Sequence, residues 1–323
     1  MKHKLIIFTQ ALLLSITLFG CQNPYGKTDH ITADAAEPAQ WEWPVSSMED
    51  QGVDPGLIGQ LEQYITDNHI KINSFLLVRN GFLIEEKYFT AGAESARRPI
   101  YSCTKSVLSA LLGIAIHEGY FLGAEDRITD LLEMGQNEKD KFSEITLRNL
   151  LHMNAGLGAI DSYQIGRMAN AIDDILEMSL VHKPGEVFLY TCAGPHLISA
   201  AIQKMTGVKT SDYADNKLLE PLGIQDAPWQ MDMQGVSIGG AGLQLTPEEM
   251  ARFGLLYLNN GVWEDEQIVS AEWIEESLSN LVDAPGTHPA ESAGYGYLWW
   301  MNGFGGYSAR GYGAQYIFVI PDE

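Results

Sequence analysis

The sequence predicts an α+β fold in which strands from both ends of the chain build one antiparallel sheet, flanked by helices, with a helical lobe inserted between them. Apolar runs typical of strands flank the pair Asn80-Gly81 and recur around residues 295–301 and 315–320. Between them, about residues 126–234 are acidic and helix-rich, without a strand pattern of similar strength. We therefore expect the functional site between the sheet and the lobe.

Size and charge limit the classes of function. The chain has 323 residues, of which 46% are hydrophobic and 19% charged, so it can bury a sizeable core. Its formal net charge of −22 would repel phosphate groups, which argues against nucleic acid as a partner. The histidines are scattered and form no His-x-x-x-His pair, so we predict neither a metal site nor another cofactor.

The first residues have the layout of a secretory signal. A basic start, an apolar run and the small residue Gly20 precede Cys21. This arrangement resembles a bacterial lipoprotein signal, which implies a signal peptide over residues 1–20, lipid on Cys21 and a membrane-anchored protein outside the cytoplasm, in the periplasm or at the cell surface. The alternative is an uncleaved membrane anchor. Polar residues 21–40 indicate a flexible tether, and we expect the folded domain over 41–323.

Local signals place the elements in chain order. A helix is predicted near residues 54–69, followed by a hairpin over 74–88, because an Asn-Gly pair between apolar runs is the strongest short-range hairpin signal. A helix follows Ser102, and Thr246-Pro-Glu-Glu has the N-cap, first-turn proline and acidic residues of a helix start. Further helices are predicted near 147–153, 171–179, 196–206 and 271–280.

The motif Ser102-Cys-Thr-Lys105 is the first candidate for chemistry. If Ser102 begins the helix, Lys105 lies one turn on along the same face, within reach of the serine hydroxyl. A serine needs such a neighbouring base to become a nucleophile. The alternative is an N-cap serine followed by a surface lysine.

Six segments in order resemble one enzyme superfamily. They are residues 102–105, 150–157, 183–190, 220–223, 239–243 and 251–254. They are similar to the serine hydrolases of the class C β-lactamase, D-alanyl-D-alanine carboxypeptidase and esterase superfamily, over roughly residues 50–321. The resemblance implies the β-lactamase/transpeptidase-like form of the α+β fold, and a catalytic cycle that passes through an acyl-enzyme.

Carried over residue by residue, the resemblance assigns the catalytic roles. Ser102 becomes the acylated nucleophile, Lys105 its proton partner, and Tyr190 the tyrosine of the second motif, Tyr-x-Asn. The alternative for Tyr190 is a buried packing residue. For Lys105 to act as a base, its pKa must fall well below the ordinary value.

The third family motif aligns with Ala309-Arg310-Gly311. The resemblance implies that Gly311 lets the substrate approach the backbone, and that the N–H groups of Ser102 and Tyr312 form the oxyanion hole. Gly313, next in the chain, belongs to the same predicted substrate-binding segment. Arg310 is a candidate cation for a substrate carboxylate, and the alternative is a salt-bridged surface arginine.

Two departures from the family pattern bear on the substrate. Cys192 stands where the second motif has asparagine, and Ala309 where the third has lysine or histidine. These changes favour the esterase and amidase branch, and Tyr190-Thr-Cys192 is similar to the 6-aminohexanoate-dimer hydrolase group. We therefore predict a serine hydrolase of small esters or amides, or of a peptide substrate. The alternative is a penicillin- or cell-wall-peptide-binding module, or a carboxypeptidase or β-lactamase, with little turnover.

Three further expectations remain. Gly235-Val-Ser237-Ile-Gly239 fits the nucleophile elbow of α/β-hydrolases, but the required preceding strand and following helix are missing from its flanks.

Cys103 and Cys192 both lie beside proposed site residues, and the question of a disulfide between them stays open. The sequence stops at residue 323, just after a strand, whereas the family continues with another strand and a helix; we therefore expect an exposed sheet face and edge.

Overall fold

The computed structural model describes residues 41–284 and 292–321, so the predicted signal peptide, Cys21 and the tether lie outside the described residues. The helices are α1 (Gly56–Asp67), α2 (Cys103–His117), α3 (Ile128–Leu131), α4 (Gln136–Phe142), α5 (Leu147–Leu151), α6 (Ser162–Ile165), α7 (Ala171–Glu177), α8 (Ala193–Thr206), α9 (Thr210–Ala214), the π-helical turn Asp215–Leu219, α10 (Pro247–Leu258) and α11 (Ala271–Ser279).

The strands are short and antiparallel. They are β1 (Ser74–Arg79), β2 (Phe82–Tyr88), β3 (Arg98–Pro99), β4 (Gln244–Leu245), β5 (Val262–Trp263), β6 (Glu266–Gln267), β7 (Gly294–Tyr295), β8 (Trp300–Met301), β9 (Tyr307–Gly311) and β10 (Gln315–Val319). Together with the helices they confirm the predicted α+β class.

The N-terminal hairpin is confirmed. β1 pairs with β2, and the connecting Asn80 and Gly81 have φ angles of 51° and 81°. Positive φ at both central residues is the geometry that matches the right-handed twist of two strands, which is why Asn-Gly marks the turn.

The strand predicted over residues 295–301 is two strands. Leu298 has a φ of 64° and turns the chain back, so that Tyr295 pairs with Trp300 across a tight connection. A positive φ cannot continue an extended strand, and nothing in the run of apolar residues signals it. β7 to β10 form one four-stranded sheet in the order β10-β9-β8-β7.

The predicted pairing of the N-terminal strands with the C-terminal strands in one sheet is wrong. Among the described residues, β1 and β2 form a ladder separate from the sheet of β7 to β10. Both ladders instead pack on α10. Gly254 brings β10 close to this helix, because a Cβ there would lie 2.9 Å from a methyl group of Ile317. Tyr316 and Phe318, on the other side of β10, are 48% and 50% exposed.

Helix α2 is the centre of the core. Every residue from 103 to 115 is buried, and the helix contacts α8, α11 and β9. Most of its side chains are apolar, as a helix buried on all sides requires, and its polar residues Lys105 and Ser106 have hydrogen-bond partners. The predicted helical lobe is confirmed as well: in the described chain, residues 126–234 hold α3 to α9 and no strand longer than an isolated bridge. Among the described helices, none has the length and hydropathy that a bilayer span requires.

Candidate active site

Ser102 stands at the N-cap of α2, where the sequence predicted it. The preceding Tyr101 has a φ of 47°, and the chain then turns into the helix as the N–H of Cys103 donates to the Ile100 carbonyl at 3.2 Å. A positive φ in a tyrosine is sparsely populated and is kept only where the surroundings fix it. Ser102 is half-buried at the end of this turn, with its hydroxyl facing Lys105.

Lys105 is almost completely buried, at 1% exposure, and its amine has three acceptors. The Nζ atom donates to Ser102 Oγ at 2.9 Å, to the Gly240 carbonyl at 2.7 Å and to Cys192 Sγ at 3.4 Å. An ammonium has three donors and no acceptor, so this set of contacts satisfies a charged Lys105 completely. Because Lys105 is buried, the alternative interpretation of this residue as a surface lysine is excluded.

The pKa of Lys105 is shifted in the direction opposite to the one that the sequence analysis required of a base. Burial lowers the pKa of the ammonium, but attraction to Tyr190 and Cys192 and the hydrogen bond to Cys192 outweigh burial and raise this pKa above its ordinary value. The expected depressed pKa is therefore wrong, because the sequence could not show which acceptors would meet the amine. In this arrangement Lys105 is positively charged near neutral pH.

Tyr190 lies beside this ammonium and against an aromatic wall. Lys105 Nζ is 4.8 Å from the centroid of the Tyr190 ring. The ring centroid in turn is 5.6 Å from that of Trp300 and 6.3 Å from that of Tyr295, and Phe188 contacts both of these rings. Tyr190 is thus half-buried, with its ring fixed by packing next to the Ser102–Lys105 pair.

The next residues explain how the second motif is held. The Thr191 hydroxyl donates to the Gly158 carbonyl at 3.0 Å and accepts from the N–H of Ile160 at 3.1 Å, which ties this segment to the lobe. Cys192 is the N-cap of α8, which begins at Ala193, three residues before the predicted start near His196. Cys192 is buried at 7% exposure and faces Lys105 rather than open solvent.

The two cysteines are free, so the structure contains no disulfide between them. The Cys103 thiol donates to the Gln315 carbonyl at 3.4 Å, away from Cys192. Burial raises the pKa of Cys103 to about 12. Cys103 is therefore an inert thiol that links the start of α2 to β10.

Gly240 is a site residue to which sequence reasoning gave no role. Its carbonyl accepts from Lys105, and a Cβ on it would lie 2.6 Å from Cys192 Sγ. A Cβ on Gly239 would lie 2.1 Å from the Pro195 carbonyl oxygen. The consecutive glycines were the available signal, since they let this backbone approach the start of α8 closely.

Strand β9 lies against the turn that carries Ser102. A Cβ on Gly311 would lie 2.3 Å from the Ile100 carbonyl oxygen, and the rings of Tyr101 and Tyr312 meet at 5.5 Å. Gly311 therefore allows β9 to approach the Ser102 turn. The expectation that it also lets the substrate approach the backbone stays a prediction.

The predicted oxyanion donors remain open to a ligand. Within residues 41–284 and 292–321, the N–H groups of Ser102 and Tyr312 have no hydrogen-bond acceptor. Tyr312 is 80% exposed, and the neighbouring Gly313 has a φ of 73° in the turn from β9 to β10. The geometry brings the Tyr312 segment beside the Ser102 turn, as an oxyanion hole requires.

Arg310 is held by the sheet beside the aromatic wall. Its Nε donates to Ser308 Oγ at 2.9 Å and its Nη2 to Asn302 Oδ1 at 3.0 Å, while the guanidinium lies 5.4 Å from the Trp300 ring centroid. It also has a further interaction. The guanidinium is thus half-buried and fixed next to the aromatic neighbours of Tyr190, and its predicted role toward a substrate carboxylate stays a prediction beside the alternative of a salt-bridged surface arginine.

Ser237, the competing nucleophile, is fully buried. Its hydroxyl accepts from the N–H of Ser211 at 3.1 Å, and its carbonyl accepts from Ser199. A serine without access to substrate cannot attack one. In the described ranges, His, Cys, Asp and Glu side chains form no group of three or more that could hold a metal ion.

Comparison with known proteins identifies the class. The sequence matches the beta-lactamase family over residues 61–323. A 6-aminohexanoate-dimer hydrolase from Paenarthrobacter ureafaciens is 23% identical over 294 residues, which cover 83% of this chain and 72% of that protein. The family match over residues 61–323 shows that the chain belongs to the beta-lactamase family. Together with the hydrolase relative, it shows that the protein is a hydrolase of that family.

Two solved structures agree on the fold. A chain from Bacillus anthracis assigned as a 6-aminohexanoate-dimer hydrolase has a TM-score of 0.63 at 23% identity, covering 80% of this chain and 75% of that one. A chain from Bacteroides dorei assigned as a beta-lactamase has a TM-score of 0.68 at 18% identity, covering 84% and 92%. The predicted β-lactamase/transpeptidase-like fold and the predicted superfamily are thereby confirmed.

Proposed function

We propose that this protein hydrolyses small esters or linear amides through an acyl-enzyme on Ser102. The observation that carries the proposal is the contact of Ser102 Oγ with a buried, fully satisfied Lys105 ammonium beside Tyr190. A serine at a helix start, a fixed cation and a phenol within one buried cluster supply nucleophile, charge stabilisation and proton carrier.

A charged Lys105 sets the order of the proton transfers. The reactive form is one in which the Tyr190 oxygen is free to accept a proton: Lys105 passes one proton to that oxygen as it takes the proton of Ser102. The serine oxygen then bonds to the substrate carbonyl carbon, and the N–H groups of Ser102 and Tyr312 stabilise the oxyanion. Tyr190 gives its proton to the leaving alcohol or amine, and water attacks the acyl-enzyme by the reverse transfers.

The side chains around Ser102 favour esters and linear amides over β-lactams. Cys192 replaces the side-chain amide of the family's second motif and faces Lys105, so it offers no amide to a β-lactam or peptide carbonyl. Arg310 lies next to the aromatic wall as a fixed cation for a substrate carboxylate. The name of the Paenarthrobacter relative indicates a linear amide as its substrate.

A substrate panel tests the proposal. Purified protein is assayed with p-nitrophenyl acetate, the 6-aminohexanoate dimer, a neutral linear amide, a D-alanyl-D-alanine peptide and penicillin, each with wild type and Ser102→Ala. We expect turnover of the ester and of at least one linear amide, lost in Ser102→Ala. A stable penicillin adduct without turnover of any ester or amide would instead support the binding module.

We also propose that the protein acts outside the cytoplasm, anchored by lipid on Cys21. The basic start, apolar run and cysteine of the first 21 residues support this location. Metabolic labelling with a palmitate analogue in a bacterial host is expected to mark the wild type and leave Cys21→Ser unlabelled. Equal labelling of both proteins, or recovery of the wild type in the cytoplasm, would contradict it.

A further inference from the structure

Cys192 is the weakest of the three acceptors that surround Lys105. Its sulfur lies 3.4 Å from Nζ, whereas the oxygens of Ser102 and Gly240 lie at 2.9 Å and 2.7 Å. A thiol sulfur is a poor acceptor in comparison with a carbonyl oxygen. Nevertheless, a buried ammonium needs all three donors occupied, because an unpaired charged donor is costly away from water.

The backbone fixes the sulfur where it meets this donor. Cys192 ends the Tyr190 segment and caps α8, and Thr191 ties it to the lobe. Gly240 packs against it so closely that a Cβ would lie 2.6 Å from the sulfur. Cys192, Gly240 and Lys105 therefore contact each other, and the sulfur has little space in which to move.

We propose that Cys192 is a positioning residue that acts through Lys105, its sulfur being the third acceptor that keeps the amine charged and fixed between Ser102, Gly240 and Tyr190. The effect of this contact between Cys192 and Lys105 on catalysis rests on the function proposed above. This role differs from substrate binding, which the resemblance implied for this position. The attraction between Lys105 and Cys192 that raises the pKa of Lys105 supports it.

Two variants and a control separate this role from packing. Cys192→Ala removes the acceptor, and Cys192→Ser keeps one of similar size. Ser199→Ala, on the same helix, removes a buried hydroxyl that donates to the Ser237 carbonyl at 2.7 Å and does not contact Lys105. The titration of Lys105 is followed by NMR of lysine-labelled protein, with Lys105→Ala to assign the signal, and kcat and KM for p-nitrophenyl acetate are measured over pH.

We expect the Lys105 titration in Cys192→Ala to move by about one pH unit to lower values. The basic limb of kcat should follow it while KM stays unchanged. Cys192→Ser, whose hydroxyl keeps an acceptor at this position, should titrate near wild type, and it carries the comparison if the alanine variant does not fold. Ser199→Ala should match wild type.

An unchanged Lys105 titration in a folded Cys192→Ala protein, or a titration lowered by about one pH unit in Cys192→Ser, would overturn the proposal. A wild type without turnover, but with the expected NMR shift in the variants, would overturn the proposed function and still support the contact of Cys192 with Lys105. The two proposals therefore fail separately.

Discussion

The charge on Lys105 decides how Ser102 can be activated. A neutral lysine would take the serine proton itself, whereas a charged lysine with three acceptors must pass a proton on as it receives one. The raised pKa of Lys105 favours the second route, because attraction to Tyr190 and Cys192 outweighs burial. Tyr190 then becomes the residue on which the proton transfer depends.

Tyr190→Phe tests this dependence. We expect kcat for p-nitrophenyl acetate to fall by about 10²- to 10⁴-fold, because the proton carrier is lost. The melting temperature should stay near that of wild type, since the ring keeps its contacts with Trp300 and Tyr295. Tyr316→Phe, at an exposed position on β10, is the matched control and should retain full activity. Near-normal kcat in Tyr190→Phe would remove Tyr190 from the mechanism.

At this scale the sequence predicted contacts that are local in the chain. The contact of Ser102 with Lys105 follows from helix geometry, because residues three apart share one face. The Gly240 carbonyl and the Cys192 sulfur lie far from Lys105 in sequence, and they determine the charge of its amine. Sequence reasoning therefore located the amine correctly and gave the wrong direction for its pKa.

At the scale of elements, β9 approaches the start of α2 closely, beside the proposed oxyanion hole. Gly311 is the point of contact, because its Cα faces the Ile100 carbonyl. A side chain at position 311 would keep the strand and the Ser102 turn apart. The motif alignment identified this glycine, and the tertiary contact gives it a structural reason that the sequence could not show.

Gly311→Ala tests the contact. A Cβ 2.3 Å from the Ile100 carbonyl oxygen must push β9 away from the turn and displace the Tyr312 N–H. We expect kcat to fall by about 10²- to 10³-fold, as when one oxyanion donor is lost, with a smaller change in KM. Gly59→Ala in α1, where a Cβ would meet no atom within 4 Å, is the control and should keep wild-type activity. If Gly311→Ala kept wild-type kcat, β9 would have no part in the oxyanion hole.

Helix α8, which carries Cys192 at its start, is held by a buried hydrogen bond between a histidine and a carboxylate. His196 Nε2 lies 3.0 Å from Asp232 Oδ2, and both side chains are fully buried. Burial raises the pKa of Asp232, but the hydrogen bond from His196 and the N–H of Val236 outweigh it and hold that pKa below its ordinary value. The ionised carboxylate therefore stabilises the fold at neutral pH.

Asp232→Asn should lower the free energy of unfolding at pH 7 by about 1–3 kcal/mol, because it weakens the hydrogen bonds to an ionised carboxylate. The stabilisation by a carboxylate with a depressed pKa is present above its unfolded value of about 3.9 and is lost as pH falls through the lower folded value. Urea unfolding from pH 7 to pH 3 should thus show the difference from wild type shrinking at the acid end. The exposed Asp50→Asn is the control. A difference that stays constant over this range would contradict the account.

The elements themselves were predicted where their signals are local. The Asn80-Gly81 turn and the start of α10 at Thr246 are fixed by a few neighbouring residues, and Thr246 forms the full capping box with Glu249. The break at Leu298 was missed, because a positive φ in a leucine is imposed by packing and not by its own preference.

At the scale of the whole molecule, the fold places a buried helix between the lobe and the sheet. α2 contacts α8 on one side and β9 on the other, so the residues at its start meet groups from both. The two ladders share α10 without pairing to each other in the described chain. Strand order depends on contacts between distant parts of the chain, which hydrophobic patterning does not specify.

The membership in the beta-lactamase family and the fold agree with the order of the motifs along the chain. Neither reveals the substrate, since one fold hosts many chemistries. The account therefore depends on its central claim, that Ser102 becomes acylated and is then released by water.

Intact-protein mass spectrometry after rapid quenching with p-nitrophenyl acetate tests this claim most directly. We predict a transient mass increase equal to one acetyl group, located by peptide mapping on Ser102 and absent from Ser102→Ala, which decays as the free enzyme returns. Turnover of the ester without such an adduct, or an adduct that persists in Ser102→Ala, would contradict it.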